Sequence, residues 1–140
     1  MNDIKRITKN KKGFTLAELL IVVAIIGVLV AISIPIFTAQ LRKAKVATDQ
    51  ANARAGKAAA VAAGLEAQSE TELTYYYNAK TGVVSTDQTD IAAYGKTSDA
   101  KGSDNIEGVT GDTAVDLTKD IVKIVIGTDN TVTVSWVAAK

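Results

Sequence analysis

Between Gly13 and Leu41 the one ionisable side chain is Glu18. From Leu19 to Phe37 every residue is apolar except Gly27, Ser33 and Pro35. A carboxylate in a membrane span costs up to ~2.5–3.5 kcal/mol near the bilayer centre and less near the interface, which makes it a functional candidate by default. A plainer account is that a helix dipole favours an acid at its N-terminus. Just upstream stand Lys11, Lys12, Gly13 and Phe14. Gly13 has no side chain, so an extended backbone there can lie close in a protease cleft.

Other chemistry is thinly represented. There is no histidine and no cysteine, which removes the commonest general base, the commonest metal ligand and any disulfide. No nucleophile elbow, P-loop, dinucleotide fingerprint or zinc spacing is present. The sequence therefore reads as a non-enzyme without a cofactor. Asp99, Asp104, Glu107, Asp112, Asp116 and Asp120 supply oxygen ligands in a loop-rich stretch. They do not follow an EF-hand spacing, so they read as a solvated acidic surface and no metal site is assigned.

Charge is unevenly spread over the 140 residues. The overall charge is +1, but residues 1–13 alone carry +4, and the remaining 11 basic and 14 acidic side chains leave −3. An acidic remainder argues against nucleic acid as the main partner. The apolar run from Leu19 to Phe37 would rise roughly 28 Å as a helix at about 1.5 Å per residue, close to a hydrocarbon core of about 30 Å. It is too long for the apolar core of an ordinary signal peptide. The basic N-terminus favours a cytoplasmic start, although Arg42, Lys43 and Lys45 follow the run and weaken that orientation.

The run Lys11-Lys12-Gly13-Phe14-Thr15-Leu16-Ala17-Glu18-Leu19-Leu20 resembles the processing motif of type IV prepilins. The resemblance covers about 35 residues, a span read from the motif and its apolar run. It implies that a membrane-embedded prepilin peptidase cuts after Gly13 on the cytoplasmic side. Phe14 becomes the new N-terminus and is methylated, and the apolar helix is retained. Glu18, fifth in the mature chain, meets the Phe14 amine of a neighbouring subunit, an attraction that strengthens at low dielectric. The resemblance also implies an assembly ATPase and a platform protein as partners. The absence of cysteine departs from the Gram-negative pattern and fits pilins of Gram-positive, clostridial type.

The supporting elements follow from periodicity. Phe37, Leu41, Ala44, Thr48, Ala51, Ala55, Ala58, Ala62 and Leu65 recur at alternating spacings of four and three, a helical stripe. Its upper part is expected to pack on the subunit's own sheet and its lower part on other helices of a filament. Gly27 and Pro35 are expected to kink or locally open the helix, since proline removes a donor and clashes with the preceding turn. In the resembled family this stretch can lose helicity on assembly. Beyond Glu70, Thr74–Tyr77 and Val83–Ser85 read as strands around a turn. A short helix is expected from Thr86 or Asp87 to about Tyr94-Gly95. Residues 95–113 read as a loop or insertion that offers a packing surface, a binding surface or mobility. Alternation over residues 121–126 and 131–136 predicts a hairpin, with Val132, Val134 and Trp136 turned toward the helix.

The fold class is therefore α+β: a long N-terminal helix against a small C-terminal antiparallel sheet. The expected divisions are a cleaved leader at 1–13, an apolar membrane or filament-core helix at 14–37, an amphipathic continuation at 38–70, and a head at 71–140 with a variable loop at 95–120. The reading is a structural subunit that self-assembles into a helical homopolymer. It is held in the cytoplasmic membrane as a precursor and then displayed as an extracellular pilus for adhesion, motility or biofilm formation. A pseudopilin of a type II secretion or competence DNA-uptake system, and a membrane-tethered binding module, are the alternatives.

Overall fold

A computed structural model describes residues 13–140. The leader expected at 1–13 lies, apart from Gly13, outside them. The chain divides into two compact units, one ending at Ala39 and one running from Gln40 to Lys140.

Helix α1 covers Leu16–Ala67 and has 52 residues. Leucine, isoleucine, valine and then alanine dominate it, and alanine has the highest intrinsic helix preference. The helix is unbroken through Gly27 and Pro35. Around the proline, the Ser33 hydroxyl donates to Leu29 O at 2.6 Å and the Thr38 hydroxyl to Pro35 O at 3.0 Å. At the far end Gln68 takes a left-handed conformation with φ 43°, which ends the helical path.

Four strands follow: β1 at Leu73–Asn78, β2 at Val83–Ser85, β3 at Asp120–Ile126 and β4 at Val132–Ala138. They form one antiparallel sheet in the order β2-β1-β3-β4. The expected α+β class and the C-terminal hairpin are as observed. Tyr75, Tyr77, Val122 and Ile124 of the sheet share a buried cluster with Ala53 and Ala60 of α1. Val132, Val134 and Trp136 pack on that same cluster, the side predicted for them.

The helix face differs from the expected one. Phe37, Leu41, Ala44, Thr48, Ala51, Ala55, Ala58, Ala62 and Leu65 are all exposed. The sheet sits instead on Ala53, Gly56 and Ala60, which with Asp49 are the buried residues of α1. Both stripes have helical spacing, so periodicity alone could not choose between them. Gly56 shows why the second is used: a Cβ there would lie 2.9 Å from Tyr77 Cβ and 3.1 Å from its Cγ. The sheet approaches where the helix has no side chain in the way.

The expected short helix at residues 86–95 does not form. Asp87 accepts bonds from the Thr89 N–H at 2.9 Å and from the Thr89 hydroxyl, an Asx-type turn that competes with helix. The chain then runs without regular structure to Tyr94. The Tyr94 hydroxyl donates to Tyr77 O at 2.9 Å and accepts from the Val122 N–H at 2.8 Å. The β1–β3 register ends at Tyr76 opposite Lys123. The hydroxyl therefore occupies the place of the next strand-to-strand bond. Burial in the core is the main cause that raises the Tyr94 pKa well above the usual phenol value.

The 95–113 loop is a packed segment. It contains a 3₁₀ turn, η1, at Gly102–Asp104, and Ala100 bridges to Val115. Ala100, Ile106, Val109 and Leu117 form a small buried cluster of their own, joined by Val46 and Trp136. Of the three roles its length allowed, packing is the one observed.

Candidate functional site

The residues predicted to do chemistry lie at the start of α1. Thr15 stands just before the first helical residue. The Glu18 N–H donates to Thr15 Oγ1 at 3.2 Å, and the Thr15 N–H donates to Glu18 Oε2 at 3.1 Å. These reciprocal bonds are a capping box, which satisfies two donors that a helix start otherwise leaves unpaired. The Thr-x-x-Glu spacing before an apolar run was a readable signal for it, and Thr15 was the residue missed. Glu18 Oε1 makes no hydrogen bond among the described residues, so half of the carboxylate remains available to a further partner.

Phe14 is 91% exposed, and each large apolar side chain from Leu16 to Leu41 is exposed as well. The helix contains a stretch long and apolar enough to cross a membrane. Such a face is costly in water at about 25 cal/mol per Å² of apolar area. It calls for lipid or for other apolar helices. Gly13 precedes it with no heavy atom near its missing Cβ. Gly13 and Phe14 thus lie just before the exposed apolar helix and Glu18 in its first turn, with Gly27 and Pro35 further along it.

Four of the six loop carboxylates, Asp99, Asp104, Glu107 and Asp116, are used internally. The Arg42 Nε donates to Asp99 Oδ2 at 2.9 Å, and its terminal nitrogens grip Asp104 at 3.1 and 2.9 Å. These bonds raise the Arg42 pKa above the usual guanidinium value and hold the Asp104 carboxyl below the usual carboxylate range. Glu107 pairs with Lys57. Asp116 accepts from the N–H and hydroxyl of Thr118. No group of three or more metal-ligating side chains occurs among the described residues. A cleft of about 440 Å³ lies between the last turns of α1 and the β3–β4 turn, and none of the sequence-predicted site residues lines it.

Residues 8–34 match the family model described as a prokaryotic N-terminal methylation motif. The chain is 45% identical over 56 residues to a type IV major alpha-pilin of Moraxella bovis, covering 40% of this chain and 35% of that one. It is 53% identical over 36 residues to the fimbrial protein EcpB of Eikenella corrodens, covering 26% and 23% respectively. The matched stretches thus span about a third and a quarter of these relatives. No solved structure matches the chain. Neither relative is named as an enzyme. With the methylation motif, the exposed apolar helix and the small antiparallel sheet on one chain, the protein is similar to type IV pilins over its N-terminal part.

Proposed function

We propose that the protein is a structural subunit of a type IV pilus. The supporting observation is the apolar face of α1, which starts at a methylation-motif N-terminus and has no cover among the described residues. A prepilin peptidase cuts after Gly13, and Phe14 is then methylated. The precursor sits in the cytoplasmic membrane with its N-terminus inside and its head outside. An ATPase and a platform protein lift it into a helical homopolymer. There the apolar helices bury one another, as free energy of burial requires. The exposed stripe from Phe37 to Leu65 extends that packing along the head. Gly27 and Pro35 mark where the helix bends or opens on assembly, because the helix ladder already lacks a donor at Pro35.

Glu18 supplies register. One carboxylate oxygen caps Thr15, and the other meets the Phe14 amine of the next subunit. An unpaired charge in a dry filament core is strongly unfavourable, so misregistered packing is rejected. The test is the intact mass and N-terminal sequence of the protein from cells, with electron microscopy of sheared surface material. An N-terminus at Phe14 and long fibres containing this chain support the proposal. A processed chain without fibres favours a pseudopilin, and an intact N-terminus overturns processing.

A further inference from the structure

Arg42, Val46, Asp49, Gln50 and Lys57 recur at near-helical spacing and face one segment, residues 96–117. Their grip is largely polar. Asp49 is fully buried, and its carboxylate accepts from the Lys96 N–H at 2.9 and 3.1 Å and from the Thr97 N–H at 2.8 Å. Arg42 holds Asp99 and Asp104 as described above. Gln50 donates to Asp104 O at 2.6 Å, and Lys57 pairs with Glu107.

The other side of the segment lies on β4. The hairpin closes with the Gly127 N–H donating to Thr131 O at 2.8 Å. Alternation in an antiparallel ladder then turns the backbone groups of Val132, Val134 and Trp136 away from β3. No strand among the described residues pairs with β4 on that side. Gly108 occupies it: a Cβ there would lie 2.9 Å from Val134 O and 3.0 Å from Ser135 Cα. The Trp136 indole N–H donates to Glu107 O at 3.1 Å.

We propose that residues 96–117 form a strap that opens and closes as a unit separate from the sheet. It is latched to α1 by Asp49 and Arg42 and guards the outer edge of β4. Closure takes a carboxylate out of water and also buries the Thr97 hydroxyl, which has no partner among the described residues. Both cost desolvation, and the bonds to Asp49 and Arg42 oppose it. Opening returns these groups to water while the β1–β3–β4 ladder stays intact. Closure covers an edge that could otherwise pair with a foreign strand. The strap concerns the fold of the head and stands independently of the pilus reading.

Hydrogen exchange on the full chain in lipid nanodiscs tests this. The expected result is that amides of 96–117 exchange at least ten-fold faster than those of β3. Asp49→Asn should speed them a further ten-fold or more and leave β1 and β3 unchanged. Arg42→Gln should act in the same direction, with a several-fold lower yield of the carbodiimide cross-link between Lys57 and Glu107. One common exchange rate for strap and sheet, or unchanged strap protection in both variants, overturns the proposal. So does loss of protection throughout the head in both variants, because the strap would then not be separable.

Discussion

At the residue scale, Glu18 has two separable roles. Glu18→Gln keeps an oxygen to cap Thr15 but removes the charge, whereas Glu18→Ala removes both. If the charge sets register, both variants insert in the membrane and both lose most of their sheared fibre yield. Fibre yield from Glu18→Gln equal to wild type would assign the residue to capping alone. Tyr94 offers a second residue-level test. Tyr94→Phe keeps the edge-to-face packing on Tyr77 and Trp136, at centroid distances of 6.1 and 6.0 Å. It orphans Tyr77 O and the Val122 N–H, a loss of roughly 1–3 kcal/mol for a buried group left unpaired, visible as a lowered melting temperature of the head. The folded pKa of Tyr94 is raised, so the folded chain holds its proton to higher pH than the unfolded chain. This contribution is intact below the ordinary phenol value of about 10 and declines as pH rises above it. An alkaline loss of stability that persists unchanged in Tyr94→Phe would have another origin.

At the scale of elements, α1 carries two stripes of small residues and only one meets the sheet. Ala53→Leu should overpack the buried cluster that Ala53 shares with the sheet and lower the head's stability by about 1–3 kcal/mol. Ala55→Leu, on the exposed stripe, should leave the melting temperature nearly unchanged. If the second stripe packs against other subunits, Ala55→Asp spares the melt but reduces fibre yield. Gly56→Ala weighs two opposed effects. Alanine gains up to about 1 kcal/mol in helix preference, while crowding Tyr77 costs about 1–3 kcal/mol. The net expectation is destabilisation in a thermal melt of the full chain in detergent.

At the scale of the whole molecule, the two compact units call for different surroundings. The unit ending at Ala39 exposes its large apolar side chains and needs lipid or other helices. The unit from Gln40 to Lys140 has its own core, made by a sheet on one face of α1 and a strap beside it. Acid should loosen the second unit through the strap. Asp104 is held below the usual carboxylate range, first by its bonds to Arg42. Its stabilising contribution is complete above the unfolded carboxylate value of about 4 and is lost as pH falls through the lower folded value. Proteolysis of the strap across an acid titration checks this. Cleavage within 96–117 should rise as pH falls toward that range and should rise already at neutral pH in Arg42→Gln.

The sequence by itself determined the α+β class, the exposed apolar helix with Glu18 near its start, and the β3–β4 hairpin. These rest on local signals: a long apolar run, a short motif, and strict alternation on both arms of a turn. Which stripe of α1 meets the sheet was decided by tertiary structure, because Ala53 and Ala55 are alike in sequence and differ only in what approaches them. The same holds for Asp49, an acid among alanines whose partners are backbone N–H groups 47 and 48 residues away. Tyr94 was misplaced in a short helix because the strand gap its hydroxyl fills exists only after β1 and β3 have paired. Residues 95–113 read as a loop because the cluster they build with Leu117 and their grip on α1 join positions far apart in the chain. Local preference carries no record of such contacts; only the folded chain brings their members within reach.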